Sequence, residues 1–277
     1  MIFKDKTVIV TGASQGIGAA AARKFANAGA NLMLVARSKK NLEAVAEELR
    51  DKSRVEIFAM DVSDAESCVD LFKKTEFEFG RIDVLINNAG CHARGVVGDV
   101  PAEDLGRIID VNLKAPIMLT RLALPYLRKD GGGAIINVAS IAGRTPVPGG
   151  ATYSASKFGL RIFTFALSEE LRGTDIRVAV ISPGPVDTGF IMADIDSTPA
   201  MTFSQPMSTA EEVAEGILDL CGNKQRELAM PRSSGYLSTL GYLVPWLHRV
   251  LRPSLERKGE RVKKAIKAKR KAERAED

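Results

Sequence analysis

The sequence predicts an α/β fold: one doubly wound parallel sheet in a single domain, followed by a C-terminal helical extension. Three features predict it. Short aliphatic or β-branched runs alternate with longer helical stretches from residue 7 to residue 230. The short runs are apolar throughout, without polar alternation, as strands buried on both faces must be. A glycine-rich turn joins the first run directly to the first helical stretch.

Taken in order, residues 7–11 (TVIVT) form the first strand and 16–28 an Ala-rich helix. Residues 31–36 (NLMLVA) read as the second strand, and 39–50 as a helix with Leu42, Val45, Ala46 and Leu49 on one stripe. Strands follow at 55–60 and 83–87, separated by a helix at 65–79. A long helical stretch, 102–127, precedes the strand at 134–139. A helix over 153–172 leads to the strand at 176–182. A helix at 210–221 and a short run at 227–230 close the series. Residues 1–230 thus make one domain, 231–255 an apolar, amphipathic segment, and 256–277 a basic tail, helical or disordered.

Composition narrows the function. At 277 residues, 45% apolar and 26% charged, the chain is neither disordered, fibrous nor a polytopic membrane protein. Two His (His92, His248) and three Cys (Cys68, Cys91, Cys221) lie far apart and never as C-x-x-C. Neither a metal site nor a disulfide framework is expected. Isolated thiols and the absence of a signal-peptide pattern point to the cytoplasm. Ten of the 39 basic and five of the 34 acidic residues fall in 256–277, so the tail carries the chain's whole net charge of +5. It has no aromatic residue for base stacking, and nucleic-acid binding is not expected.

The first strand runs into Thr11-Gly12-Ala13-Ser14-Gln15-Gly16-Ile17-Gly18. Glycines at 12, 16 and 18 permit a tight turn and let backbone N–H groups approach a pyrophosphate, at a helix N-terminus that favours anions. The same residues match G-x-S-x-G, the nucleophile elbow of hydrolases, through Ser14. That reading fails on position, because the elbow does not belong on a first strand, and it leaves Gly18 unexplained.

T-G-x3-G-x-G at 11–18, Asn87-Asn88-Ala89-Gly90 after a strand, Asn112, Ser140, Tyr153-x3-Lys157 and Pro183-Gly184 occur in one order. This pattern, over roughly residues 6–230, resembles the short-chain dehydrogenase/reductase family. The resemblance implies a Rossmann-type sheet, a nicotinamide dinucleotide and metal-free interconversion of carbonyls and alcohols. It implies that Gly12, Ser14, Gln15, Gly16, Ile17 and Gly18 hold the cofactor. Asp61 and Val62 would contact adenine, and Asn88, Ala89 and Gly90 the adenosine ribose. Pro183, Gly184, Val186 and Thr188 would line the nicotinamide, and Lys157 would also hold its ribose. Asn112 would hold a water linked to the catalytic Lys157.

The residue chemistry supports those roles. On a helix Tyr153 and Lys157 share a face one turn apart. A neighbouring ammonium favours the phenolate and is expected to lower the Tyr153 pKa by roughly 1–3 units. Tyr153 then serves as proton donor to a carbonyl or acceptor from an alcohol. Ser140, at a strand end, can donate to the carbonyl oxygen as charge develops there. Pro116 lacks an N–H and crowds the carbonyl four residues back, so the Asn112 carbonyl must find another partner.

At the end of the second strand, Val35-Ala36-Arg37-Ser38 offers a guanidinium and a hydroxyl but no carboxylate. A carboxylate there suits NAD and repels a 2′-phosphate, so this chain is expected to prefer NADP(H). An alternative is a catalytically silent NADP(H)-binding scaffold or redox sensor, against which the intact Asn112, Ser140, Tyr153 and Lys157 set argues. Phe190, Ile191, Met192, Met201 and Phe203 make the loop after Thr188 apolar, which favours a bulky apolar carbonyl or alcohol substrate. Ile162, Phe163, Phe165, Ala166 and Leu167 make the 153–172 helix apolar around most of its circumference, and a homodimer or homotetramer is expected. In 235–255, Leu237, Leu240, Val244, Leu247 and Leu251 recur at helical spacing, beside polar Ser238, Thr239, His248, Arg249 and Arg252. That stripe is expected to pack on the body or, in the competing reading, to lie on a membrane with Tyr236, Tyr242 and Trp246 at headgroup level. Either way the basic tail is expected to lie outside the catalytic machinery.

Overall fold

The computed structural model describes residues 3–193 and 195–276, apart from the side chains of 245, 247–249, 269 and 271–276. Seven strands, β1 (Thr7–Thr11), β2 (Asn31–Ala36), β3 (Val55–Ala59), β4 (Val84–Asn87), β5 (Gly133–Val138), β6 (Ile176–Pro183) and β7 (Glu227–Met230), form one sheet. Their order is β3-β2-β1-β4-β5-β6-β7, and every pairing is parallel. The chain runs outward from β1 to β3 and then crosses back to β4. The carboxyl ends of β1 and β4 therefore flank the reversal point where open α/β sheets bind ligands.

Two apolar layers enclose the sheet. Helices α1 (Gly16–Asn27), α2 (Lys39–Leu49) and α8 (Ala210–Gly222) cover one face, through residues such as Phe25, Leu42 and Val213. Helices α3 (Ala65–Phe79), α5 (Ala115–Lys129) and α6 (Ala151–Glu170) cover the other, through Phe72, Leu119 and Leu167. Helix ends follow local chemistry: Asp64 accepts from the Glu66 and Ser67 N–H groups to start α3, and Gly80, at φ 75°, ends it. Thr209 and Glu212 form a reciprocal capping box on α8.

The expected helix over 102–127 is interrupted. It divides into α4 (Ala102–Ile109), a π turn at Asp110–Lys114, and α5. Pro116 cannot donate to the Asn112 carbonyl, and the ladder widens just before it: the Ala115 N–H reaches back five residues to the Asp110 carbonyl. The turn places Asn112, fully buried, between α4 and α5.

The C-terminal extension departs most from expectation. Helix α9 (Arg232–Leu243) docks through its small residues, Ser234, Gly235 and Ser238, while Leu237 and Leu240 are 67% and 46% exposed. A side chain at Gly235 would collide with Ala229, so only that face approaches the sheet closely. The expected self-packing of the leucine stripe is thus not observed; Leu251 is exposed too, and Leu247, His248 and Arg249 lie outside the described side chains. A charge cluster anchors the region. Glu227 on β7 accepts two bonds from Arg161 of α6 (2.7 and 2.9 Å), and pairs with Arg144 (2.8 Å), which in turn donates to Thr239 of α9.

Helix α10 (Pro245–Glu276) runs through residue 255 without a break, so the apolar segment and the basic tail are one element. Val262 and Ile266 on α10 pack with Ile191, Met192 and Phe203. The tail therefore does not lie apart from the body, as the charge distribution suggested. Its basic residues alternate with apolar ones at helical spacing, and Val262 and Ile266 among the latter are half-buried against the body.

Candidate active site

A cavity of about 910 Å³ crosses the carboxyl ends of the strands. Its first wall is the glycine loop. Gly12 (φ 66°) and Gly16 (φ 55°) take the left-handed conformation that the turn demands. A Cβ on Gly12 would sit 2.8 Å from the Asn88 amide nitrogen, and one on Gly16 would press on Thr188. Gln15 precedes α1 without a side-chain cap, and no acidic residue occupies the first turn. The opening N–H groups of α1 are thus left to a ligand, and Ser14, Gln15, Gly16 and Ile17 line the cavity.

Beside this loop, Thr11 Oγ1 accepts from the Asn88 and Ala89 N–H groups (3.0 Å each) and donates to the Ile86 carbonyl. Asn88, Ala89 and Gly90 line the cavity from the end of β4. Arg37 and Ser38 line it beyond β2; Arg37 is exposed, and Ser38 also caps α2 by accepting from the Asn41 N–H. Asp61 and Val62 complete this end. Burial pushes the Asp61 carboxyl upward, but bonds from Arg107 (2.6 Å) and Ser63 outweigh it and hold the pKa at about 2.

At the other end, Ser140 from the end of β5 and Tyr153 and Lys157 from α6 share the cavity with Pro183, Gly184, Val186 and Thr188. A buried amide chain sets the pose of α6. Asn87 donates to Asn137 (2.9 Å), which donates to Thr164 on α6 (2.9 Å). Lys157 donates to the Val138 carbonyl (2.8 Å), and burial lowers its pKa to about 8. Its ammonium lies 5.9 Å from the centre of the Tyr153 ring. The expected depression of Tyr153 is not what the pocket produces: burial dominates and raises the phenol to about 12, despite the opposing pull of Ser140 and of the Arg94 charge. The phenol therefore stays protonated at neutral pH, ready to donate.

Two expected site residues do not reach the cavity. Gly18 faces inward, where a Cβ would overlap the Gly12 carbonyl, so its task is the close crossing of α1 over the loop. Asn112 holds the wall from behind. Its side chain accepts from the Cys91 N–H and donates to the Cys91 carbonyl (2.9 Å each), and donates to Ser156 Oγ (3.2 Å). A Cβ on Gly90 would come within 3.3 Å of Asn112 Oδ1 and 3.6 Å of Lys157 Nζ, so these groups converge there.

The far wall joins the apolar loop after Thr188 to residues of α9 and α10 that sequence reasoning missed. The Phe190 ring stands 6.2 Å from Tyr153, and its carbonyl accepts from Arg94 (3.3 Å) and bonds His92 Nε2 (3.0 Å). Ile191 and Met201 also line the cavity, but Met192 and Phe203 do not. Thr145 Oγ1 and Gln205 Oε1 are buried in its lining without a hydrogen-bond partner among the described residues. Leu237 of α9 and Leu255 and Lys258 of α10 close this end. Their distance along the chain from every motif hid them; the Val262 and Ile266 spacing was the available signal. Burial raises all three thiols, which leaves none poised as a thiolate.

The model of the short chain dehydrogenase family matches residues 6–198. Sulfoacetaldehyde reductase 2 of Chromohalobacter salexigens is 37% identical over 214 residues, covering 75% of this chain and 85% of that protein. The 3-oxoacyl-acyl-carrier-protein reductase of Thermotoga maritima is 33% identical over 233 residues, covering 81% and 93%. A short chain dehydrogenase/reductase of Burkholderia phymatum, solved in complex with NAD, superposes with a TM-score of 0.81 at 24% identity, covering 90% of this chain and 96% of that one. That likeness carries the fold, and the two reductases and the family match carry the kinship. The chain belongs to the short-chain dehydrogenase/reductase family of oxidoreductases.

Proposed function

We propose that the chain is an NADP(H)-dependent oxidoreductase that interconverts a carbonyl and a secondary alcohol, with Tyr153 as general acid/base. One observation carries this reading: Tyr153, Ser140 and Lys157 share a cavity with the uncapped N-terminus of α1. The donor set fits a dinucleotide, because backbone N–H groups meet its pyrophosphate and Arg37 takes a 2′-phosphate where Ala36 offers no carboxylate. When bound, the nicotinamide supplies or takes up the hydride.

Ser140 and Tyr153 donate to the substrate oxygen, and Tyr153 gives up its proton as the alcohol forms. The buried Lys157 ammonium stabilises the phenolate that this leaves, and Asn112 fixes the wall at Cys91 against which Lys157 packs. A phenol held protonated favours reduction at neutral pH. The substrate is a bulky carbonyl compound with an apolar body against Phe190, Met201 and Leu237; a donor group on it would satisfy Gln205 Oε1. Ile117 on α5 and Ile162 and Ala166 on α6 are exposed, which supports a two-fold pairing of these helices into a dimer or tetramer. The setting is cytoplasmic, with peripheral membrane contact through the exposed face of α9 and α10. No helix among the described residues is long and apolar enough to cross a membrane.

The test is an NADPH-consumption screen over a panel of aldehydes and ketones, with Tyr153→Phe as blank. Turnover that is lost in the variant supports the reading. Equal consumption by both proteins, or NADPH binding without turnover on any compound, would overturn it in favour of a cofactor-binding scaffold.

A further inference from the structure

Segment 189–207 forms the substrate side of the cavity yet brings little internal structure of its own: a four-residue helix, α7 (Gly189–Met192), and a 3-10 turn at Ala200–Ser204. Its apolar residues Ile191, Met192 and Phe203 cluster with Val262 and Ile266 of α10. Its backbone carbonyls are held from the same helix. Lys263 donates to the carbonyls of Asp196 (2.9 Å) and Thr198 (2.8 Å), Arg270 donates to the carbonyl of Met192 (3.2 Å), and Lys267 pairs with the Asp196 carboxylate. Gly259 lies against the turn so closely that a Cβ there would overlap the Ala200 carbonyl. A glycine inside a helix costs stability relative to alanine, and here the close approach requires it. Residues 259, 262, 263, 266 and 270 share one helical face, so a single side of the basic tail makes all these contacts.

We infer that α10 is part of the substrate site: Gly259, Lys263 and Arg270 are positioning residues that hold segment 189–207, and with it Phe190 and Met201, at the distance from Tyr153 at which a carbonyl substrate is received. The inference rests on the reading of Tyr153 as the reacting group. Leu255 and Lys258, which line the cavity from the same helix, make the strap and the substrate wall continuous. A segment whose backbone carbonyls and apolar side chains are held by one helix takes order from that helix, and a displacement of about 1 Å at a substrate wall can cost up to 10²-fold in rate.

The test uses the full-length chain with Gly259→Ala and, separately, with Lys263→Met and Arg270→Met combined; Lys263→Arg serves as rescue. In each, amide hydrogen exchange of 189–207, NADPH affinity by fluorescence, and KM and kcat for the most active panel carbonyl are measured. The two disruptive variants should exchange 189–207 about tenfold faster, with unchanged exchange in β1, β4 and β5. They should raise KM about tenfold with little change in kcat or NADPH affinity, and Lys263→Arg should behave as wild type. Gly259→Ala gives a diagnostic sign: on a free helix it would stabilise α10, whereas here it should loosen the segment. Unchanged exchange in both variants, or faster exchange with unchanged KM, overturns the inference. If no carbonyl turns over in the wild type, the assignment of Tyr153 fails, while the exchange result still decides whether α10 holds the segment.

Discussion

Around the glycine loop the cavity wall is backbone, set by the ends of β1 and β4, a helix N-terminus and the Thr11 hydroxyl, which binds the N–H groups of Asn88 and Ala89. Around Phe190 and Met201 it is made of side chains on a segment held by a helix some 60 residues further on. The first wall needs particular residues at particular backbone angles, so the chemistry is written locally: Gly12 and Gly16 at positive φ, and no carboxylate after Val35. The second needs only that two distant surfaces complement each other. The difference teaches that the cofactor end is a fixed socket, whereas the substrate end is an assembly whose parts can be loosened separately.

Tyr153 stands where the walls meet, and it gives the largest expected effect. Tyr153→Phe should lower kcat by about 10²–10⁴, as loss of a general acid does, while NADPH affinity is retained. Lys157→Ala should damage both. A Tyr153→Phe protein with more than about a tenth of wild-type kcat, or one that had lost NADPH, would erase the division between the walls.

The lowered pKa of Lys157, about 8 against an ordinary 10.5, predicts a stability change confined to the reacting end. Between those values the unfolded chain holds the proton more often than the folded one, so stability rises with pH across this window. Relative to a Lys157→Met variant, the wild-type protein without cofactor should gain about 2–3 kcal/mol in denaturant unfolding from pH 8 to 10.5. A flat difference would show that the ammonium is not buried as described.

The next comparison touches the socket alone. Ala36→Asp combined with Arg37→Ala should exchange preference from NADPH to NADH, each changing by roughly 10–100-fold, since a charge-assisted bond is worth about 1.5–3 kcal/mol. KM for the carbonyl should stay put, in contrast with the α10 variants. Titration showing that wild-type protein binds NADH as tightly as NADPH would remove the basis of this prediction.

Legibility follows the same division. The strands, the sheet class and the Ser140, Tyr153 and Lys157 constellation were readable because apolar runs and i, i+4 spacing are local. The π turn was half readable: Pro116 announced a broken ladder, but whether the chain would kink or widen depended on what packed around Asn112. The direction of the Tyr153 shift was misread because the Lys157 charge is visible in sequence whereas the burial that raises the phenol is not. The docking face of α9 was inverted for a related reason. Ser234, Gly235 and Ser238 face inward because closeness to Ala229 excludes larger groups, a constraint set by the sheet edge and invisible in the helix's own pattern.

The smallest effect concerns the outside of the assembly, and it separates the two faces of α10. The inner face clasps segment 189–207. The outer one continues from the exposed Tyr236, Tyr242 and Leu243 of α9 through Trp246 and Val250, and then turns basic at Arg257, Arg261 and Lys264. Residues 246, 250, 257, 261 and 264 fall on one side of a helix, so an apolar patch and a cationic patch adjoin on a single surface. Aromatic residues suit the headgroup level, and each Lys or Arg near an anionic surface adds about 1 kcal/mol that salt screens. Full-length protein should therefore sediment with anionic vesicles at low salt, be released at high salt, and ignore neutral vesicles. Arg257→Gln, Arg261→Gln and Lys264→Gln together should abolish that retention while leaving KM untouched, because the cationic groups that bond segment 189–207 are Lys263, Lys267 and Arg270. Protein that stays in the supernatant with anionic vesicles at low salt would assign this surface to another copy of the chain, a result that a concentration-dependent change in light scattering, lost on Trp246→Ser, would then have to meet.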